Sequence, residues 1–152
     1  MKKDNFEIFR VEKEDIKTLE EVAEFYEYTY GQEPWEDELE RDYLLDYFRN
    51  FIDENIFLAY RKEDRVVAMA LLIPVSSYRS KYLRIEDICV DSKFQNQNIG
   101  SSFLDAIDEY FDSDIYDVIV LNTIRNFPSH HFYDKNGFTL IESSITMYRE
   151  KK

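Results

Sequence analysis

The sequence predicts an α/β (α+β) fold, with one mixed central sheet of about six strands and about four helices. Three observations predict it. Apolar residues switch along the chain between strict alternation and spacings of three and four, the periods of strand and helix. Gly, Pro and charged clusters punctuate the switches. Three strands follow one another with no helix between them, which makes the first half largely antiparallel. No internal repeat, low-complexity tract or Pro/Gly-rich linker divides the chain, so residues 1–152 read as a single domain.

Residues 6–11 alternate apolar and polar side chains and form the first strand. Glu12-Lys13-Glu14-Asp15 opens a helix with Ile16, Leu19, Ala23 and Tyr26 on one face. Gly31 and Pro34 break it. The acidic residues 36–38 are expected in the first turn of a second helix, striped by Leu39, Tyr43, Tyr47, Phe48 and Phe51. Residues 56–60 and 66–74 flank a charged turn at Lys62-Glu63-Asp64 and read as a hairpin. A fourth strand covers residues 82–90, and a helix with Phe103, Ile107 and Tyr110 on one side covers 100–111. Residues 118–121 form a short apolar strand of the kind buried on both faces. Pro128 and Gly137 bracket a short helix, and residues 138–148 close the sheet as a last strand.

Charge narrows the function classes. The formal net charge is −13, from 19 Lys+Arg against 32 Asp+Glu. Such a field repels nucleic acid and anionic membrane and attracts cationic solutes. It also simply aids solubility, and composition does not choose between these roles. The lone cysteine, Cys89, excludes an internal disulfide framework and gives no metal cluster. No apolar run approaches the ~20 residues of a membrane span. The start, Met1-Lys2-Lys3-Asp4-Asn5, lacks the apolar centre of a signal peptide, so the expected compartment is the cytoplasm.

Only three glycines occur, and Gly100 stands at a helix start, where Ser, Thr, Asn or Asp would cap better. Such a start presents free N–H groups and a positive dipole end, a ready anion site. The preceding Gln95-Asn96-Gln97-Asn98 adds amides and an Asn tolerant of positive φ, which suits a nest of backbone donors. A pyrophosphate could sit there without lysine or metal; the segment alone reads equally as an ordinary polar loop before a helix.

The run Ile85-Glu86-Asp87-Ile88-Cys89-Val90-Asp91, then Phe94-Gln95-Asn96-Gln97-Asn98-Ile99-Gly100, resembles motif A of the GNAT superfamily of acetyl-CoA-dependent N-acetyltransferases. Its pattern is Gln/Arg-x-x-Gly-x-Gly/Ala; Gln95 and Gly100 match, and Asn98 stands where the first glycine is usual. That departure implies phosphate binding of slightly different shape or strength. Asn126-Phe127-Pro128-Ser129-His130-His131-Phe132-Tyr133-Asp134-Lys135-Asn136-Gly137-Phe138 resembles motif B. The resemblance is close over residues 82–138, and the element order extends it over nearly the whole chain.

The resemblance implies a single N-acetyltransferase domain whose sheet splays between the fourth and fifth strands to admit acetyl-CoA, with CoA as product and no metal. Ile88, Cys89 and Val90 would pair with the pantetheine arm through their backbone. Gln95, Asn96, Gln97, Asn98, Ile99, Gly100 and Ser101 would surround the pyrophosphate. Asn126 would contact the pantetheine, and Tyr133 would touch the cofactor and protonate the departing thiolate. The strand run is similar to that of small-amine acetyltransferases, including polyamine and streptothricin types.

Direct attack of an amine on a thioester needs few parts. The amine must lose a proton, the oxyanion needs a donor, and the thiolate needs an acid. Glu86 and Asp87 are the candidate bases, with Glu86 favoured and Asp87 assigned to a substrate ammonium. A regular strand turns only one of them into the cleft, whereas a bulge delivers both. Either carboxylate also has an ordinary reading as a solvated strand residue. His130 and His131 read as capping or structural, and Cys89 as a small core residue. Tyr26, Tyr28, Tyr30 and Trp35 are mainly core aromatics, with one or two walling the amine pocket.

The expected acceptor is a primary amine on a small cationic molecule. A protein N-terminus or lysine is the alternative acceptor within the same chemistry. A non-catalytic acyl-CoA-binding module is the alternative outside it. Nucleic acid and membrane partners are not expected; a homodimer is compatible with the resemblance.

Overall fold

A computed structural model describes residues 5–111 and 116–152. The expectation for the N-terminal run falls mostly on residues 1–4, outside the described residues. The chain divides into two compact units, Met1–Asn122 and Thr123–Lys152.

The first unit holds a five-stranded sheet of order β1-β2-β3-β4-β5. Its strands are β1 (Phe6–Arg10), β2 (Ile56–Lys62), β3 (Arg65–Ser76), β4 (Lys81–Val90) and β5 (Val118–Leu121). Neighbours from β1 to β4 are antiparallel, and β4 pairs β5 in parallel. Phe57, Leu58, Ala59 and the run 66–72 are at most 1% exposed. Central strands covered on both faces need apolar side chains at every position, which is why this stretch does not alternate.

Helices α1 (Ile16–Tyr30) and α2 (Arg41–Glu54) cover one face. Leu19, Val22, Phe48, Phe51, Phe57, Met69 and Leu71 pack there in one cluster. Asp15 caps α1 by accepting the Thr18 N–H at 3.2 Å. Helix α3 (Ile99–Tyr110) lies on the other face, where Phe103 stacks on Tyr60 at 5.0 Å. Tyr60 and Ala59 are neighbours in β2, so their side chains leave the sheet on opposite sides.

Four sequence expectations need correction. Residues 36–38 precede α2, because this segment folds back to finish α1: the Asp37 N–H donates to the Tyr30 carbonyl at 2.8 Å. Leu39 also precedes the helix, and Tyr43 is 75% exposed; Leu44 and Leu45 join Phe48 and Phe51 in the buried stripe. Strand β5 is half-buried rather than enclosed, since it ends the sheet with β4 as its one neighbour.

The fourth concerns the last strand. No strand follows Leu121 among the described residues. The second unit contains α4 (Pro128–Lys135) and an irregular tail in which Ile145, Met147 and Tyr148 are exposed. Strand-like composition makes no strand without a partner ladder, and this unit offers none.

The Phe48 ring meets Tyr26 and Phe57 edge-on at 5.5 and 5.2 Å and is fully buried. Phe48→Ala is expected to lower unfolding free energy by about 3–5 kcal/mol in urea titrations. Tyr43→Ala, on the exposed side of the same helix, should stay within about 0.5 kcal/mol.

Candidate active site

The register of β4 against β3 breaks at one point: Asp87 pairs with Leu71 and Ile85 with Leu72, so Glu86 is an extra residue. This is a β-bulge. Arg84 opposes Ile73 and Asp87 opposes Leu71, both part of the α1–α2 packing. Glu86 faces the same way. Its Oε2 lies 3.4 Å from Arg84 Nε, and its charge bears on the Tyr47 phenol of α2. The bulge therefore turns both carboxylates toward the helices.

Their surroundings differ. Glu86 is exposed, while Asp87 is half-buried. Tyr26 Oη donates to Asp87 Oδ2, and Tyr30 Oη donates to Oδ1 at 3.1 Å. Burial raises the Asp87 pKa, and the two phenol donors partly offset that by stabilising the charged form. Burial and the Asp87 charge push the Tyr26 and Tyr30 phenols well above the usual tyrosine value. Tyr47 is pushed up to about 12, first by burial and then by Asp87 and Glu86. Trp35 meets Tyr30 at 5.1 Å between centroids, and Tyr30 meets Tyr26 at 4.5 Å. The result is an aromatic wall of partly exposed rings backed by a carboxylate.

The edge of β4 that faces β5 is paired only as far as Ile85↔Leu121. Residues 86–90 continue past that ladder, and Ile88, Cys89 and Val90 lie in this stretch. The Cys89 side chain is buried in the core, and burial raises its thiol pKa, as suits a packing residue.

At the end of β4, Asp91 is 1% exposed and fixes the turn that follows. Its Oδ1 accepts the Lys93 N–H at 3.1 Å, and Arg65 lies 3.5 Å from Oδ2. Thr29 Oγ1 accepts the Ser92 N–H at 3.0 Å, tying the end of α1 to the same turn. Asn96 and Asn98 then take positive φ, 64° and 62°. Asn98 is the N-cap of α3 without a side-chain cap bond, and the first turn carries no acidic residue. The first helical bond runs from Ser102 N–H to the Asn98 carbonyl. The N–H groups of Ile99, Gly100 and Ser101 therefore have no acceptor within the helix. The Gln95 side chain braces the turn, its Nε2 donating to the Val90 carbonyl at 3.4 Å.

In the second unit Asn126 takes φ 65°, and its N–H donates to His130 Nδ1 at 3.1 Å. His130 Nε2 lies 3.7 Å from Asp134 Oδ2, so this histidine caps and braces the start of α4. Tyr133 is 9% exposed and packs against Phe132 and Phe138, each at 5.3 Å. Gly137 takes φ +86° just past the helix.

The structure thus brings Glu86 and Asp87 together with Tyr26, Tyr30 and Trp35. Tyr28 lies apart from that group, with Lys93 5.1 Å from its ring centre. Arg84 and Tyr47 belong with the carboxylates and were not singled out from sequence. Arg84 stands two residues before Glu86, a same-face spacing on a strand that offered the one available signal. Among the described residues no group of His, Cys, Asp and Glu is arranged to hold a metal ion, and no helix is long and apolar enough to cross a membrane.

A family model described as the acetyltransferase (GNAT) family matches residues 16–138. Solved structures share the fold at low identity. A protein from Clostridium difficile 630, described as a possible acetyltransferase, is 18% identical with a TM-score of 0.78, covering 97% of this chain and 99% of that one. An aminoglycoside acetyltransferase from an uncultured soil metagenomic sample, in complex with sisomicin, is 14% identical with a TM-score of 0.73 and 97% of each chain covered. Glucosamine-6-phosphate N-acetyltransferase from Arabidopsis thaliana is 20% identical with a TM-score of 0.64, covering 98% of this chain and 100% of that one. No curated protein matches the chain.

The raised phenols set a pH signature. Tyr26 and Tyr30 hold their protons more tightly folded than unfolded, so stability falls as pH rises past about 10. Tyr26→Phe and Tyr30→Phe should each flatten that fall in urea unfolding. Each should also remove one phenol that ionises only on unfolding, read as alkaline absorbance.

Proposed function

The chain belongs to the GNAT acetyltransferase family, and on that premise we propose that it uses acetyl-CoA to acetylate a primary amine on a small cationic acceptor. The observation that carries this reading is the bulge at Glu86, which turns two carboxylates to the side of β4 on which the tyrosines of α1 stand. Residues 1–152 are read as a single N-acetyltransferase domain, in keeping with a family match that runs over residues 16–138.

The residues present suit acetyl-CoA. Asn96 and Asn98 at positive φ turn the backbone into the start of α3, whose first N–H groups have no helical acceptor. No charged side chain interrupts residues 95–102. In this proposal residues 95–101 hold the pyrophosphate, and the backbone of Ile88, Cys89 and Val90, beyond the reach of β5, holds the pantetheine arm. Asn126 adds a polar contact to that arm. When bound, acetyl-CoA supplies the acetyl group as an activated thioester.

The chain's own residues handle protons and position. Glu86, exposed and outside the tyrosine network, takes the proton of the acceptor ammonium directly or through water. Arg84 beside it, at 3.4 Å, offsets part of the carboxylate's charge. Tyr133 would give its phenol proton to the leaving sulfur, and its ring is held between Phe132 and Phe138. No covalent bond to the protein is needed.

CoA release from acetyl-CoA, measured with a thiol reagent across amines and peptides, tests this. Tyr133→Phe should lower kcat by about a hundredfold with little change in KM. Glu86→Gln should lower kcat/KM near neutrality and recover as rising pH supplies free amine. Peptides preferred over every small amine would move the acceptor to protein. No CoA release with any acceptor would leave only the acyl-CoA-binding module.

A further inference from the structure

Asp87 stands directly beside Glu86, yet neither of its oxygens is left to meet a substrate alone. Tyr26 Oη donates to one and Tyr30 Oη to the other. A phenol has a single proton and two acceptor lone pairs. Both protons are spent on Asp87, so what these hydroxyls offer outward is acceptor capacity only. Among the described residues no cation pairs with Asp87, whereas Glu86 has Arg84 at 3.4 Å. The uncompensated charge of this wall is therefore the one behind the tyrosines.

The rings add a second preference. Tyr26 and Tyr30 lie tilted at 4.5 Å, Trp35 meets Tyr30 edge-on at 5.1 Å, and all three are partly exposed. Aromatic faces favour alkyl chains and cations over other polar groups. An alkylammonium has three donors and no acceptor, which complements a surface of lone pairs, π faces and one negative charge. A second amine carried on an alkyl chain meets every one of these conditions.

Resting on the acetyltransferase reading above, we propose that Tyr26 and Tyr30 are specificity-determining residues that accept hydrogen bonds from a second ammonium group, so that the acceptor is a linear terminal diamine or polyamine. Asp87 is the positioning residue: it contacts the substrate through the tyrosines, holding their protons inward. The reacting amine lies at Glu86, and the distal ammonium lies at the α1 tyrosine pair that is bonded to Asp87, the next residue of β4.

The test uses the chain's single tryptophan, Trp35, as reporter. Its fluorescence is titrated with butanediamine and with butylamine, without acetyl-CoA, and the affinities are checked by calorimetry. Wild type should favour the diamine by about tenfold or more, the size of one charge-assisted hydrogen bond. Tyr26→Phe keeps the ring and deletes the acceptor, and the preference should collapse. Asp87→Asn donates one amide proton of its own, so a phenol must turn its proton outward, and the preference should collapse there too.

Equal affinity for the two amines in wild type, no saturable signal with the diamine, or a preference that survives Tyr26→Phe would each overturn the proposal. If Asp87→Asn does not fold, as judged by circular dichroism, Tyr26→Phe and Tyr30→Phe decide it. Because binding is read without turnover, a diamine preference with no CoA release would sink the acetyltransferase reading and leave Tyr26 and Tyr30 as a diamine-binding pair only. Turnover without the preference would do the reverse.

Discussion

One extra residue in β4 sets the direction of two carboxylates. In an unbroken strand Glu86 and Asp87 would leave opposite faces, one toward α1 and α2 and the other toward α3. The bulge opposite Leu71 cancels that alternation. It also resets the strand, so that Ile85 and Ile88 take the sheet face opposite α1 and α2 while Cys89 joins the core beneath α1. A shift of register by one residue would exchange these sets and bury charge against apolar side chains. The bulge is thus fixed by the packing on both faces, and the candidate site takes its geometry from that packing.

A half-buried carboxylate is costly unless its lone pairs are met. Asp87 is met by two phenols from successive turns of α1, at positions four apart that share a helix face. Those phenols are in turn fixed by neighbours: Tyr26 by the edge of Phe48, and Tyr30 by Trp35. Trp35 is delivered by the same folded-back segment that finishes α1, where the Trp35 N–H donates to the Gln32 carbonyl at 3.1 Å. Helix termination, aromatic packing and the charge in β4 therefore belong to one connected arrangement.

Local pattern carried much of this into the sequence. The hairpin of residues 56–60 and 66–74, the α1 stripe at Leu19, Ala23 and Tyr26 (though not its first member, Ile16, which is 55% exposed) and the Pro128–Gly137 bracket depend on residues close in the chain, and they could be read there. Motif spacing likewise exposed the loop before α3 and the pair Glu86-Asp87. What could not be read depended on distant partners. Nothing near Tyr26 announces Asp87, 61 residues away. The bulge is a statement about β3 as much as β4, so the run Ile-Glu-Asp-Ile alone left it open. Residues 36–38 looked like a helix start because acids favour that place, but a carbonyl at the end of α1 claimed the segment first. Residues 138–148 had strand composition, and composition does not supply a partner.

The turn into α3 has a consequence for solution behaviour. A protein that holds phosphate with lysines releases counterions as it binds, and its affinity falls steeply with salt. The loop at Asn96 and Asn98 contains no lysine or arginine and opens a helix with no charge in its first turn. An anion seated there meets fixed peptide dipoles, which carry no mobile ion atmosphere. A helix start of this kind would take an anion through its dipoles, so it would not require lysine or arginine within residues 95–102 of a chain whose net charge is −13.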